Sequence, residues 1–309
     1  MNHDSLKNVS VCICTYKRTG LLRNCLQHIL NQNTRRIKEI VIVDNDKSGS
    51  ARDTINSLKE IANMKGIEIL YEIETEQNIS LARNRAIHKS SGAYLILIDD
   101  DEYPLRDDWI ENFMKVIERD KIDGVLGPII NIYPEETPEW QRIPNLPFPG
   151  QWETGKKIEK PRGTGNIIFK RDILIKRQGP FNPDYGRTGG EDAELLQWLL
   201  DNKANLLWCD EAIVAQKIEN KKLRLSYHLK RNFQFGSNCS RIFVARRSYL
   251  RALFEMPIRI FLGTFKIILF ALLKIKTPKT ALFYFLTEIT VQAGKIGYFF
   301  GIKKLAIYK

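Results

Sequence analysis

The sequence predicts an α/β protein with a doubly wound, mostly parallel sheet, followed by a basic helical appendage. Three observations carry this. Apolar runs of four to seven residues alternate with stretches of helical spacing through the first hundred residues, the pattern of βαβ units with right-handed crossovers. Three of those runs stop on polar clusters, as strands of such sheets do where ligands gather at their carboxyl ends. The charge then changes sign along the chain. Residues 217–309 hold 19 Lys and Arg against three acids, a net of +16 that leaves −4 for residues 1–216. This places a domain boundary at residues 1–218 and 219–309.

Val9–Cys14 reads as the first strand, ending in the turn Thr15-Tyr16-Lys17-Arg18. Leu21, Leu22, Cys25, Leu26, Ile29 and Leu30 recur with helical spacing behind it. Ile40–Val43 is a second strand that stops at Asp44, Asn45 and Asp46, and Ile55, Leu58 and Ile61 mark the next helix. Ile67–Ile73 is a third strand, and Ile79–His88, with Ala82-Arg83-Asn84, is helical. Tyr94–Ile98 is nearly all apolar, as a strand buried on both faces is. It stops on Asp99, Asp100, Asp101 and Glu102. Adjacent carboxyl groups raise one another's pKa unless a cation neutralises them, and hard oxygen ligands suit Mg²⁺ or Mn²⁺. A solvated acidic turn is the plainer alternative; the place at a strand end favours the metal.

Asp107–Arg119 reads as a helix and Gly124–Ile132 as a further strand. Between Pro134 and Pro161, six prolines break all periodicity while Trp140, Phe148 and Trp152 argue for order. The segment is a loop over the site or a cover for a sheet edge. Gly163-Thr164-Gly165-Asn166 opens a short strand, Ile167–Lys170. Gly189-Gly190-Glu191-Asp192 leads into a helix with Leu195, Leu196, Leu199 and Leu200 on its apolar side. Asp192 falls in the first turn, where the helix dipole favours a negative charge and suits a general base. From that feature alone an ordinary first-turn acid is the simpler explanation.

Several classes are excluded. The first strand-to-helix turn has no GxGxxG cradle, and no Walker-type loop occurs. The five cysteines are odd in number, without zinc spacing, and fit a reducing compartment. Cys12 and Cys14 share a strand face as small apolar groups. The N-terminal MNHDSLKNVS lacks the apolar core of a signal peptide, so the body is expected in the cytoplasm. His28, His88 and His228 are expected in packing or surface roles.

The last third is helical and basic. Arg224–Arg251 carries Phe233, Phe235, Phe243 and Tyr249 among its charges. Of the apolar stretches that follow, Pro257–Leu273 is interrupted by Arg259 and Lys266, and Ala281–Phe300 by Glu288 and Lys295. A span needs about 20 mainly apolar residues, so an interfacial, membrane-seeking position on an anionic inner leaflet fits better. A helical hairpin packed on the body, or a homodimer through these helices, is the competing reading. A nucleic-acid face is disfavoured by the apolar stretches, so no nucleic-acid partner is expected.

Together these segments resemble the family-2 inverting glycosyltransferases, whose fold is the Rossmann-like GT-A type, over roughly residues 9–247. VSVCICTYKR at 9–18 resembles the family's opening strand and Thr-Tyr-x-Arg turn, with Cys14 where a proline is commoner. Ile40–Asp46 resembles its nucleotide-binding second strand, and NISLARNRA at 78–86 its Asn…Ala-Arg-Asn segment, with Ile79 in place of glycine. Asp99-Asp100-Asp101 matches the DxD motif, Gly163–Asn166 the GTGN segment and Glu191-Asp192 the pair holding the base. These weak motifs, in the right order, make the resemblance specific.

The resemblance implies roles. Thr15, Tyr16, Arg18, Asp44, Asp46, Arg83, Asp99 and Asp100 line the nucleotide-sugar site. Asp99 and Asp101 hold the diphosphate through Mg²⁺ or Mn²⁺. Gly163, Thr164, Gly165, Asn166 and Glu191 border donor sugar and acceptor, and Asp192 is the base. The donor is a UDP-sugar by family frequency, with thymidine and guanosine donors open. The acceptor is a saccharide or lipid-linked saccharide, in surface polysaccharide or glycolipid assembly at the cytoplasmic face of the membrane. No QxxRW motif of processive members occurs, which implies single-sugar transfer. A metal-dependent nucleotidyltransferase would use the same carboxylates and remains the alternative enzyme.

Overall fold

The computed structural model describes residues 8–119, 121–142, 149–161, 163–247, 249–274 and 278–302, with the helix path alone at 249–250, 252–253 and 266–274. Pro144, Pro147 and Phe148 of the expected loop lie outside the described residues. The chain divides into two compact units. The first comprises Met1–Ile132, Pro144–Gly186 and Glu191–Lys217; the second comprises Tyr133–Ile143, Arg187–Gly190 and Ile218–Lys309.

In the first unit β1 (Val9–Thr15), α1 (Thr19–Leu30), β2 (Ile37–Asp44), α2 (Arg52–Met64), β3 (Glu68–Ile73), α3 (Ile79–Lys89) and β4 (Tyr94–Asp99) alternate as the periodicity predicts. There follow β5 (Glu102–Pro104), α4 (Trp109–Ile117), β6 (Gly124–Leu126), β7 (Ile129–Ile132), β8 (Asn166–Lys170), α5 (Arg171–Ile175), α6 (Glu191–Asp201), β9 (Leu206–Trp208) and β10 (Val214–Lys217). The main sheet has the order β3-β2-β1-β4-β8-β6-β9. It is mostly parallel, with β8 alone antiparallel to both its neighbours, β4 and β6. Among the described residues no α-helix lies between β7 and β8, and a parallel strand there would require a crossover connection.

The stretch Gly124–Ile132, expected as one strand, is two. A Cβ on Gly127 would lie 2.2 Å from the Ala212 carbonyl oxygen, and Pro128 lacks an N–H. The chain breaks there, and β7 joins a separate sheet of order β5-β10-β7.

Side chains alternate across the main sheet with the strand period of two. Val9, Val11 and Ile13 pack with Leu22, Leu26 and Ile29 of α1, Ile55 of α2 and Phe113 of α4. Cys12, Val41 and Val43 face Ala82 and Ala86 of α3 and Leu195 and Leu199 of α6. Ile61, expected on the apolar side of α2, is 41% exposed, and Ala62 is buried in its place. All five cysteines are free. The register pairs Thr15 with Asp44 and Cys14 with Asp99. Three strands therefore deliver their carboxyl ends to one line.

The second unit is built on α7 (Leu225–Arg246), α8 (Tyr249–Lys274) and α9 (Pro278–Phe299). Helices α7 and α9 meet backbone to backbone. A Cβ on Gly236 would lie 2.0 Å from the Val291 carbonyl oxygen, and one on Gly294 1.9 Å from that of Phe233. Trp140 and His228 both set their rings against Phe283, at 5.4 and 5.3 Å. Asn238 of α7 donates to the carbonyls of Thr188 and Gly189, at 3.2 and 2.6 Å. Among the described residues no helix is long and apolar enough to cross a membrane.

Candidate active site

All the acids singled out by sequence sit at the carboxyl ends of β2 and β4 or at the start of α6. Their contacts divide them. Asp44 is fully buried; its carboxylate accepts from the backbone N–H groups of Asp46 and Ala51, at 3.0 and 2.8 Å, and from the Tyr71 hydroxyl at 3.0 Å. Asp46 accepts from the N–H and hydroxyl of Ser48. These two acids fold the loop after β2 onto itself. The Asp44 carboxylate is thus held by its own loop and by Tyr71 of β3. The next residue, Asn45, does similar work, donating to the carbonyls of Glu74 and Glu76.

The run after β4 is held by side chains from far along the chain. Thr15 donates to Asp100 at 2.7 Å, and Arg18 reaches Asp100 at 3.1 Å and Asp101 at 3.6 Å. Gln216 of β10 donates to Asp101 at 3.2 Å. Burial pushes the Asp100 carboxyl up to about 6, against the pull of Arg18. Burial likewise raises Glu102 well above the usual carboxylate range, with Asp99 and Asp101 adding to it. Glu102 is 2% exposed, and its Oε2 has no hydrogen-bond partner. It lies under Gly165, where a Cβ would come within 2.6 Å of its carboxylate. A Cβ on Gly163, by contrast, would meet nothing within 4 Å.

Arg83 connects this run to α6. Asn78 caps α3, accepting from the N–H groups of Ser80 and Leu81, and so fixes the helix that carries Arg83. One guanidinium nitrogen donates to Glu191 at 3.0 Å and also to Asp192; the other donates to Asp99 at 2.8 Å. Thr164 donates to the same Asp192 oxygen. Burial opposes the Arg83 charge, and Asp192, Asp99 and Glu191 outweigh it, so the group is firmly cationic. Burial and the neighbouring Asp192 push Glu191 up to about 8. The two acids of α6 differ in access. The Asp192 side chain is 26% exposed and that of Glu191 2%.

Asn166 is spent on structure, donating to the carbonyls of Pro128 and Ala212 and accepting from the Trp109 indole N–H. Tyr16 is half-buried, with Lys17, at a φ of 54°, placing its ammonium 5.2 Å from the Tyr16 ring. Cys14 borders a small cleft with Arg83, Ala86 and Asp99, but burial pushes its thiol up to about 12, which leaves it unreactive. Sequence reasoning missed Gln216 and Glu102's place beneath Gly165. Neither has a local signal, since both depend on pairings more than 60 residues apart.

The site offers a hard cation a limited set of donors. Among the described residues no group of three or more His, Cys, Asp or Glu side chains converges to hold a metal. Asp99 is 41% exposed at its side chain, and Arg83 occupies only its Oδ1. One or two carboxylates completed by substrate phosphates and water are the usual arrangement for Mg²⁺, so the residues present fit such an ion.

An α/β sheet whose strand ends carry a carboxylate run tied to a helix-borne acid defines a group-transfer enzyme. Residues 10–177 match the family described as Glycosyl transferase family 2, and the chain belongs to that family. It is a glycosyltransferase. Succinoglycan biosynthesis protein ExoM of Rhizobium meliloti (strain 1021) is 26% identical over 246 residues, 79% of this chain and 78% of that protein. Among solved structures, the mannosyltransferase PcManGT from Pyrobaculum calidifontis, in complex with GDP-Man and Mn²⁺, is similar with a TM-score of 0.63 at 14% identity, covering 96% of this chain and 88% of the other. S. aureus TarS 1-349 in complex with UDP is similar with a TM-score of 0.56 at 12% identity, covering 95% and 92%. These likenesses show the fold, which is of the GT-A type.

Proposed function

We propose that this enzyme moves a single sugar from a nucleotide-diphospho-sugar to a hydroxyl of a saccharide or lipid-linked saccharide, inverting the anomeric centre. The observation that carries the reading is Arg83. One buried guanidinium binds Asp99, at the donor end of the cleft, and the Glu191–Asp192 pair. Diphosphate and acceptor thus meet at one place. The nucleotide lies across the ends of β1 and β2, where Tyr16 is half-buried. UDP is the first donor to test and GDP the second. TarS is described with UDP and PcManGT with GDP-Man and Mn²⁺, which supports both donor chemistry and a divalent ion. The name of ExoM supports polysaccharide assembly as the setting.

Asp99 and Asp101 would hold Mg²⁺ or Mn²⁺, which when bound neutralises charge on the departing diphosphate. Asp192 takes the proton of the acceptor hydroxyl, because its side chain reaches solvent and that of Glu191 does not. Arg83 and Thr164 orient the base. Attack from the face opposite the leaving group inverts the sugar, with no covalent intermediate on the protein. Arg18 holds Asp100 and Asp101 in place, and Thr15 adds a second hold on Asp100.

The test is release of nucleoside diphosphate from a panel of sugar nucleotides with Mg²⁺ or Mn²⁺, in the wild type and in Asp192→Asn. We expect turnover to fall by about 10²–10⁴-fold in the variant, the usual contribution of a general base, with donor binding nearly intact. Near-normal turnover would remove Asp192 from the role. Pyrophosphate release from a nucleoside triphosphate would instead make the enzyme a nucleotidyltransferase.

A further inference from the structure

Helix α8 carries an apolar row on the side that does not pack. Phe254, Ile258, Phe261, Leu262 and Phe265 follow one another at helical steps and share one face. They are 78, 61, 69, 50 and 56% exposed, in that order. The opposite side serves the interior of the unit. Met256 is buried there in a cluster with Phe243, and a Cβ on Gly263 would lie 2.9 Å from the Gln292 side chain. Single exposed apolar side chains are ordinary; a contiguous row with three phenylalanines marks an interface.

The charges around the row name the partner. Arg247 and Arg251 both reach Glu255, at 2.8 and 2.7 Å, so two cations flank a single acid. Arg259, one helical turn further on, is exposed with its guanidinium 4.5 Å from the Phe243 ring. The whole segment 217–309 is strongly basic, at a net +16. We propose that this face of α8 seats in the headgroup layer of an anionic bilayer, with the phenylalanines at the acyl boundary and the arginines on the lipid phosphates. A second copy of the same face would bring like charges together. A nucleic acid would satisfy the arginines and leave five apolar side chains in water. An anionic lipid surface satisfies both halves. Since no described helix is long and apolar enough to cross, α8 lies in the plane of the surface. The sugar-transfer reading is not needed for this.

The test is flotation of the full chain with phosphatidylcholine vesicles, with and without phosphatidylglycerol, at low and high salt. Phe254→Ser with Phe261→Ser is the test variant, and Met64→Ser, on an exposed side chain of α2, is the control. We expect binding to the phosphatidylglycerol vesicles, weakened by salt. The double variant should bind more than about tenfold less, because each phenylalanine kept out of lipid removes a tenfold factor or so. The control should bind as the wild type does. Unchanged circular dichroism and unchanged sugar transfer to a soluble acceptor would show that the double variant folds. Three results would overturn the proposal: no flotation of the wild type, equal flotation of the double variant, or a wild-type dimer in light scattering that the double variant abolishes without any lipid binding. The last result would assign the face to a second copy.

Discussion

The loops after β2 and after β4 look alike in sequence, each a strand end followed by closely spaced acids, and they do opposite work. The acids of the β2 loop are held mainly from within it, with Tyr71 as the one outside donor to Asp44. Asp44 and Asp46 accept almost wholly from N–H and hydroxyl groups within a few residues. Those of the β4 loop are not. Asp99, Asp100 and Asp101 are held by Arg83, Arg18, Thr15 and Gln216, all from other elements. A carboxylate satisfied by its own backbone closes a turn. A group of carboxylates in excess of its local donors keeps charge available for a cation.

Four tests break or sharpen that contrast. The largest effect should come from Arg83→Lys. One ammonium cannot reproduce a fork spanning Asp99, Glu191 and Asp192. Losing hydrogen bonds to charged acceptors costs about 1.5–3 kcal/mol each, which denaturant unfolding would register along with lost turnover. Next come Asp44→Asn and Asp99→Asn as a pair. Asp44→Asn should lower stability by about 1–3 kcal/mol through its lost acceptor bonds, with the metal dependence of donor binding unchanged. Asp99→Asn should change stability little and weaken donor binding about tenfold or more, with a flattened response to added Mg²⁺. Equal metal responses in the two variants would erase the contrast.

A steric pair comes third. Gly165→Ala forces a methyl onto the buried Glu102 carboxylate and should cost about 1–3 kcal/mol. Gly163→Ala meets open space and should stay within about 0.5 kcal/mol; thermal unfolding compares them directly. The last test concerns pH. Glu191, raised from 4.5 to about 8, keeps in the folded protein a proton that the unfolded chain has released. Stability should therefore fall as pH rises through that window. In Glu191→Gln, melting temperatures across the same range should fall less.

The first four strands and their helices were legible because each is long enough to show its period, and because β1 to β4 follow one another as neighbours or crossovers. The acids at 99–102 and the place of Asp192 in the first turn of α6 were legible for the same reason. The strand at 167–170 was legible, but its antiparallel run was not, and neither was the small sheet of β5, β7 and β10. These strands are three to five residues long, and their partners lie far away in sequence. Arg83 shows the limit within the site. Its motif pointed to the cleft, yet two of its three partners lie more than 100 residues on, and only the folded chain brings them to it.

The glycine contacts between α7 and α9 have a consequence for how the C-terminal unit tolerates change. Gly236 and Gly294 let two backbones touch, so the spine of the unit is set by the absence of side chains at two positions and by little that lies between them in sequence. Helix α8 packs on that spine through Gly263, while its outer row takes no part in internal packing. The residues of that row can therefore be exchanged while the framework that presents them stays the same.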